Sequence, residues 1–248
     1  MSLPIVLLPG LLCDDTVWVD QRKAFGAGVE VFVPDYGERN SIPAMAEQVL
    51  ESVHSARFLL AGHSMGGRVA LEVARRAPRR VAGLALLDTG YQAREAGDAG
   101  EKEKANRMRL LTLSREKGMR AMGEQWAPGM VHPARVGSAL YGSILDMIER
   151  STPQRFEAQI QALLGRPDAA PMLESLACPT LLICGREDRW SPLARHEDMH
   201  AVIPGSKLTV IEDSGHMSTM EQPDAVSAAM LDWIDWALDH ETGRTHDA

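Results

Sequence analysis

Short apolar runs alternate with amphipathic segments along much of this 248-residue chain, and this alternation restricts the possible folds more than any other feature. The apolar runs indicate buried strands at residues 4–8, 29–33, 57–62, 81–87, 179–184 and 207–211. Helices are expected between them, at residues 42–55, 65–77, 192–202 and 223–239. Strands that are apolar throughout and separated by helices form a parallel sheet covered on both faces. The sequence therefore predicts an α/β fold whose functional loops lie at the carboxyl ends of the strands.

The alternation stops between residues 91 and 165, where strand signals vanish and charged amphipathic segments take over, as at 101–117 and 133–149. This pattern predicts a helical insertion at 91–165 within a core formed by residues 1–90 and 166–248. Because sites in such folds lie above the strand ends, the insertion is expected to act as a lid that shapes the substrate pocket. The alternative is a helical appendage that only fills out the fold.

Composition excludes several classes of protein. With 45% hydrophobic and 24% charged residues, the chain is neither disordered nor fibrous. A net charge of −8 argues against nucleic acid or an anionic membrane as a partner, and three cysteines are too few for a disulfide framework. The first twelve residues are apolar but lack a basic start, so neither a secretory signal nor a membrane span is expected. We therefore expect a cytoplasmic location.

The strongest motif is Gly62-His63-Ser64-Met65-Gly66, which lies between a predicted strand and a predicted helix. In that context the pattern Gly-x-Ser-x-Gly places the serine on a sharp turn with its hydroxyl exposed. Side chains at 62 and 66 would collide with the neighbouring backbone, which explains the two glycines. The motif predicts a nucleophilic Ser64. A serine in an incidental glycine-rich turn would not require the flanking strand and helix.

With this motif in place, the chain resembles serine hydrolases of the α/β-hydrolase fold, of the esterase and lactonase type, from Pro4 to Leu238. The resemblance implies a mostly parallel sheet with helices on both faces, a helical lid and no cofactor. Members of this family begin with antiparallel strands for which little room remains here, so the sheet is expected to be shortened at that edge.

The resemblance also implies a catalytic base and acid. His216 follows the last predicted strand in a Gly-His pair, where the family carries its catalytic histidine. Asp188 matches the family's Gly-x-x-Asp position in Gly185-Arg186-Glu187-Asp188 and is expected to orient the imidazole. Asp88 is the alternative acid, because some members carry theirs after that strand. Otherwise Asp88 would serve a loop hydrogen bond.

An oxyanion hole is expected from two backbone N–H groups. One belongs to Met65, directly after the nucleophile, and the other to Leu11 in the loop Pro9-Gly10-Leu11. The family usually has His-Gly where this chain has Pro9-Gly10. Backbone donation survives that change, whereas the support that a histidine side chain gives the loop does not.

Together these residues predict cleavage of a small carboxylic ester or lactone through an acyl-enzyme, in a pocket that includes Leu12, Trp126 and Trp190. The expected partner is a small-molecule substrate. No metal is expected, since the chain has neither a His-Glu-x-x-His motif nor paired cysteine ligands.

Other activities on the same residues stay open. The segment Ser64-Met65-Gly66-Gly67-Arg68 is similar to the corresponding segment of the menaquinone-pathway lyase. If the activity is the same, Arg68 would help to hold an acidic substrate. A carbon–carbon bond hydrolase or a thioesterase would use the same three side chains. A ligand-binding receptor with little turnover is the alternative outside enzymes.

Overall fold

The computed structural model describes the backbone of residues 3–246 and the side chains of residues 3–243. One six-stranded sheet forms its centre, with the strand order β2-β1-β3-β4-β5-β6 and every neighbouring pair parallel. The strands are β1 (Ile5–Leu8), β2 (Val31–Phe32), β3 (Phe58–His63), β4 (Val81–Leu87), β5 (Thr180–Gly185) and β6 (Lys207–Ile211). The predicted α/β fold with a parallel sheet is thereby confirmed.

Strand burial follows position in the sheet. Every residue of β1, β3, β4 and β5 is buried, as expected where helices cover both faces. The strand β2 is an edge strand of two half-buried residues, although five residues at 29–33 were predicted to be extended. Pro34 follows closely and has no N–H to donate to a neighbouring strand, so the pairing ends early.

Helices flank the sheet and connect its strands. They are α1 (Val19–Phe25), α2 (Ile42–Ser52), α3 (Met65–Arg76), α4 (Gly97–Lys117), α5 (Met119–Trp126), α6 (Ala139–Glu149), α7 (Pro153–Leu164), α8 (Ala170–Leu173), α9 (Leu193–Val202), α10 (Ser218–Glu221) and α11 (Pro223–His246). Ser41 caps α2 by accepting the N–H of Ala44 at 3.3 Å, with Pro43 in the first turn. Helix α11 continues to His246, seven residues beyond the predicted end near Asp239. Of the described helices, none combines the length and apolar composition needed to cross a bilayer.

The segment between β4 and β5 is helical, comprising α4 to α8 and short 3₁₀ turns. Its apolar side chains, among them Leu111, Met122 and Phe156, belong to the same hydrophobic cluster as the sheet. The division into a core and a lid at 91–165 stays a prediction, and its residues 1, 2, 247 and 248 lie outside the described residues.

All six strands run in one direction, so their carboxyl ends meet at one edge of the sheet. Ser64 follows β3, Asp88 follows β4, Asp188 lies three residues beyond β5, and His216 lies in the loop after β6. The fold thus brings four residues that are distant in sequence to one end of the molecule.

Candidate active site

Ser64 occupies the turn between the last residue of β3 and the first residue of α3, with φ 54° and ψ −117°. A positive φ is uncommon for a residue with a side chain and costs about 1–3 kcal/mol, so the surroundings must hold it. A Cβ atom on Gly62 would lie 2.3 Å from the carbonyl oxygen of Gly66, and one on Gly66 would lie 2.1 Å from that of Leu8. Close backbone approach therefore requires both glycines of the motif.

Two hydrogen bonds from the end of β4 hold this turn. The N–H of Ser64 donates to the carbonyl oxygen of Leu87 at 2.9 Å, and the hydroxyl of Thr89 donates to the carbonyl oxygen of Ser64 at 2.6 Å. A Cβ atom on Gly67 would lie 2.6 Å from the Thr89 side chain, so the start of α3 also packs tightly here. The strained turn is thus fixed from its neighbouring strand.

The structure brings Ser64, His216 and Asp188 into one hydrogen-bonded chain. Ser64 Oγ lies 2.7 Å from His216 Nε2, and His216 Nδ1 lies 2.8 Å from Asp188 Oδ2. His216 and Asp188 are buried, with 3% and 4% of their surface exposed. The other carboxylate oxygen of Asp188 accepts the N–H groups of Trp190 at 2.8 Å and Ser191 at 2.9 Å. Asp188 is therefore held rigidly against the imidazole.

These contacts determine which imidazole nitrogen carries the proton. An ionised carboxylate only accepts hydrogen bonds, so Nδ1 of His216 is the protonated nitrogen facing Asp188. Nε2 then presents its lone pair to the Ser64 hydroxyl. This arrangement lets the imidazole accept the serine proton.

Electrostatics around His216 favour its charged form. Burial opposes protonation, but the charge and hydrogen bond of Asp188 outweigh it and raise the pKa of His216 above its usual value. For Asp188, burial likewise opposes ionisation, yet the charge and hydrogen bond of His216 hold the pKa of that carboxyl below its usual range. The site is thus prepared to stabilise an imidazolium beside a carboxylate.

Asp88, the alternative acid, forms no hydrogen bond with the imidazole of His216, and its Oδ2 lies 3.8 Å from Nε2 of His63 instead. It is fully buried, and its carboxylate accepts the N–H of Gly185 at 2.9 Å and both the hydroxyl and the N–H of Ser218. Burial and the nearby charge of Asp188 raise the pKa of Asp88 to about 8. Asp88 therefore braces the loops that carry Asp188 and His216, in keeping with the loop hydrogen bond considered for it.

Among the described residues, one group has ligand atoms close enough together for a metal ion: Asp88, Cys184 and Asp188, all within 4.8 Å of one another. The carboxylates are already engaged by backbone and side-chain donors. The Cys184 thiol is directed at the carbonyl oxygens of Gly185 and Ser191, and burial raises its pKa well above the usual value. A protonated thiol is a poor metal ligand, so the group fits a hydrogen-bonded structural cluster.

Leu11 and Met65, the two expected oxyanion donors, both line the cavity that opens at Ser64. Among the described residues, no hydrogen-bond acceptor contacts the N–H of Leu11 or of Met65. A Cβ atom on Gly10 would lie 3.0 Å from the His63 ring and 3.2 Å from Ser64 Cβ, so a glycine lets this loop come close. Whether the two N–H groups act on an oxyanion stays a prediction.

Leu12, a predicted pocket residue, has a left-handed backbone. Its φ is 59°, and its N–H donates to Gln159 Oε1 on α7 at 2.8 Å. Its side chain lines a second cavity of about 470 Å³ behind the loop, next to Tyr36. Leu12 is thus found at this second cavity and not among the residues that line the cavity at Ser64, and its place in the substrate pocket stays a prediction.

A cavity of about 900 Å³ opens at Ser64 and is also lined by Trp126 and Trp190. The two indole rings stack with centroids 5.0 Å apart and an angle of 22°, and the Trp190 ring lies 5.0 Å from the His216 ring. Trp126 therefore links the helical segment to the loop that carries Asp188, and both tryptophans form a wall of the space beside the imidazole.

Two residues that support His216 were missed in the sequence. The Nε2–H of buried His63 donates to the carbonyl oxygen of His216 at 2.7 Å, and burial together with the charge of His216 lowers the pKa of His63 to about 3. Buried Glu221 accepts the N–H groups of Gly215 at 2.9 Å and His132 at 2.7 Å. The place of His63 directly before Ser64 in the motif is a usable signal, whereas nothing in the local sequence marks Glu221.

Comparisons with known proteins agree on one family. The sequence profile of the alpha/beta hydrolase family matches residues 5–229. The solved structure of a malate-bound thermophilic esterase from Thermogutta terrifontis superimposes with a TM-score of 0.84 at 30% identity, covering 96% of this chain and 91% of that one.

Two curated relatives are named as hydrolases. A pimeloyl-[acyl-carrier protein] methyl ester esterase of Neisseria meningitidis is 26% identical over 82% of this chain, and the match spans 65% of that protein's length. The 2-hydroxy-6-oxononadienedioate/2-hydroxy-6-oxononatrienedioate hydrolase of Escherichia coli is 23% identical over 84% of this chain and 73% of its own length.

Proposed function

Since this chain belongs to the alpha/beta hydrolase family, we propose that it is a serine hydrolase that cleaves a small carboxylic ester or lactone. One observation carries the proposal: the hydrogen-bonded chain from Ser64 through His216 to Asp188 opens onto a cavity of about 900 Å³. A serine hydroxyl is a weak nucleophile without such a base, and here the base is already in contact and oriented.

Acylation follows from this geometry. Ser64 Oγ attacks the acyl carbonyl carbon while His216 Nε2 takes the hydroxyl proton. Asp188 stabilises the resulting imidazolium, and the tetrahedral oxyanion accepts the N–H groups of Leu11 and Met65. The intermediate then expels the alcohol oxygen, which receives the proton from His216, and Ser64 retains the acyl group as an ester.

Deacylation repeats these steps with water. His216 takes a proton from the water as its oxygen attacks the acyl carbon, and the same two N–H groups hold the second oxyanion. Collapse of that intermediate breaks the bond to Ser64 Oγ, which regains the proton from His216, and releases the carboxylic acid. Each oxyanion donor contributes about 2.7–4 kcal/mol to such a step.

The cavity walls are suited to a small-molecule partner. Trp126 and Trp190 offer aromatic surface next to the imidazole, and Phe156 adds apolar surface from α7. In this proposal the helical segment at 91–165 is the lid that shapes the pocket and limits the entry of water. The reaction requires no cofactor.

The named activities of the relatives support hydrolysis but differ in the bond cleaved. The relatives from Thermogutta terrifontis and Neisseria meningitidis are named as esterases, while the relative from Escherichia coli is named as a hydrolase of 2-hydroxy-6-oxononadienedioate and 2-hydroxy-6-oxononatrienedioate. The same serine nucleophile and base can serve the cleavage of an ester or of another bond to an acyl carbon. The bond that this protein cleaves therefore has to be identified by measuring turnover of defined substrates.

The test is a series of p-nitrophenyl esters from acetate to decanoate, assayed with the native protein and with Ser64→Ala. We expect release of p-nitrophenol with a chain-length optimum, and a loss of on the order of 10³-fold or more in Ser64→Ala. Labelling of Ser64 by a fluorophosphonate, read by mass spectrometry, shows whether the nucleophile is active. Turnover that persists in folded Ser64→Ala would contradict the proposal. Ser64 labelling without ester turnover would assign the site to a thioester or carbon–carbon bond instead.

A further inference from the structure

The cavity at Ser64 carries more positive than negative side chains. Among the described residues that line it, five are arginines and three are carboxylates, a surplus of two positive charges in a chain whose net charge is −8. A surplus opposite in sign to the whole molecule attracts anions to this cavity.

One carboxylate pairs with two of these arginines. Glu103 on α4 accepts two hydrogen bonds from Arg166, at 2.7 and 2.9 Å, and one from Arg107 at 2.9 Å. Burial opposes ionisation of this carboxyl, but the hydrogen bond of Arg166 and the charge of Arg107 lower the pKa of Glu103 to about 2. Glu103 is therefore fully committed to these two guanidinium groups.

Arg68 and Arg195 have no such partner. Neither forms an ion pair with a carboxylate of the described residues: Arg68 Nη1 donates to the carbonyl oxygen of Gln92 at 2.7 Å, and Arg195 Nη1 is directed at that of Trp190 at 3.3 Å. The two side chains converge at Gly90, where a Cβ atom would lie 2.8 Å from Arg68 Nη2 and 2.9 Å from Arg195 Cδ. Two guanidinium groups thus converge on one wall of the cavity, and neither is in an ion pair with a carboxylate of the described residues.

The surroundings make this arrangement costly without an anion. Burial, together with the guanidinium groups of Arg166 and Arg195, lowers the pKa of Arg68 to about 9. Both arginines are half-buried, and like charges held side by side in partly buried positions are unfavourable unless they are paired. A carboxylate seated between Arg68 and Arg195 would supply the missing charge and accept several N–H donors at once.

We propose that Arg68 and Arg195 bind a carboxylate on the substrate, so that the ester or lactone opened at Ser64 carries a second, free acid group. This inference rests on the proposed function and names its substrate class. Arg68 stands four residues after Ser64 on α3, about 6 Å along the helix axis, so the acid group lies a few bonds beyond the scissile carbonyl.

The test compares matched pairs of methyl esters. One member of each pair is the monomethyl ester of glutaric, adipic or suberic acid, and the other has a primary amide in place of the free carboxylate. We expect kcat/KM for the half-ester to exceed that for the amide at least tenfold at one chain length, with this ratio of the two kcat/KM values falling as the salt concentration rises.

In Arg68→Gln and in Arg195→Gln the half-ester to amide ratio should fall at least tenfold. Arg76→Gln is the matched control on the same helix, because it removes the same charge outside this cavity, and its ratio should equal that of the native protein.

Binding to Ser64→Ala separates this inference from the proposed function, because calorimetry needs no turnover. Tighter binding of the half-ester than of the amide supports the carboxylate subsite even if no ester is cleaved. Equal binding overturns it even if esters are cleaved. A ratio unchanged in both folded arginine variants also overturns it. So does tighter binding of a methyl ester that ends in a phosphonate than of every half-ester, since the preferred anion would then be a phosphate group.

Discussion

Two buried aspartates stand close to His216, and their surroundings shift their pKa values in opposite directions. Asp188 receives the imidazole Nδ1–H and two backbone N–H groups, which favour its charged form. Asp88 lies deeper, and its burial and the charge of Asp188 raise its pKa to about 8. A pair of carboxyl groups whose pKa values are driven apart takes separate roles: Asp188 is the more readily ionised of the two, and Asp88 is shifted toward its neutral, hydrogen-bonding form.

Replacing each aspartate by asparagine separates these roles. Asp188→Asn should lower kcat by on the order of 10³–10⁴-fold, because the amide no longer stabilises the imidazolium and can impose the wrong tautomer. Since the charge of Asp188 raises the pKa of His216, the acid limb of the pH profile should also move to lower pH. Asp88→Asn should change kcat less than about tenfold, because an amide resembles a protonated carboxyl. The measurement is kcat against pH for both variants. The reverse ranking would assign the acid role to Asp88.

At the level of single residues, sequence reasoning succeeded where a motif carries its own geometric requirement. The sharp turn at Ser64 needs glycine on both sides, so the motif is specific and the close approaches at Gly62 and Gly66 match it. Leu12 had no such requirement, and its left-handed backbone could not be read from the sequence. Arg68 and Arg195 are far apart in the chain, and no local sequence pattern predicts that their side chains converge at Gly90.

Among the elements, the loop after β6 has to hold His216 in place although it has no regular structure. Glu221 on α10 holds it by accepting the N–H of Gly215, and it also accepts the N–H of His132 and pairs with Arg135 at 3.4 Å. The N–H of His216 itself donates to the carbonyl oxygen of Met130 at 2.7 Å. The segment at 130–135 and the histidine loop are thus joined through one buried carboxylate.

Glu221→Gln should loosen both segments while leaving the side chains of Ser64, His216 and Asp188 unchanged. The amide nitrogen cannot accept an N–H, so one buried donor loses its partner, which costs about 1–3 kcal/mol. We expect a lower free energy of unfolding, and a fall in kcat that exceeds any rise in KM because the imidazole is less well placed. Chemical denaturation and steady-state kinetics measure these effects.

Glu212→Gln is the matched control, because its carboxylate forms an exposed pair with Arg186. Such pairs contribute less than about 1 kcal/mol, so both readouts should stay near those of the native protein. A Glu221→Gln variant that loses stability but keeps its kcat would show that Glu221 supports the fold without positioning His216.

Elements were predictable where hydrophobic patterning and capping agree. The buried strands β3, β4 and β5 start and end within one residue of their predicted bounds, since a continuous apolar run leaves few alternatives. Helix α7 was overlooked although Thr152 caps it and Pro153 opens it, a signal that was present. Helix α1 has no side-chain N-cap, and its seven residues are too few to show a helical repeat of apolar positions. Its position in the fold depends on packing against α11.

On the scale of the whole molecule, the helical segment between β4 and β5 is continuous with the core. Leu111, Met122, Ile144 and Phe156 are at most 1% exposed and lie in the same hydrophobic cluster as the central strands. The helical character of this segment was predictable because apolar strand-like runs are absent from it and charged amphipathic stretches take their place. Its packing onto the sheet depends on tertiary contacts between distant residues, which hydrophobic patterning does not specify.

Continuity of the core predicts that the chain unfolds as one cooperative unit. An insertion with a core of its own could melt separately, but here the apolar side chains of the segment would lose their partners as soon as the sheet opened. Polar contacts reinforce this, since Gln159 on α7 accepts the N–H of Leu12 at 2.8 Å and the carbonyl oxygen of Met130 accepts the N–H of His216 at 2.7 Å.

We expect one calorimetric transition whose van 't Hoff and calorimetric enthalpies agree. The fluorescence difference between the native protein and Trp126→Phe reports on the segment and on its contact with Trp190, and it should change at the same temperature as the circular dichroism of the whole chain. An earlier loss of that difference would show instead that the segment opens on an intact sheet, which is the behaviour of a lid that moves as a separate body.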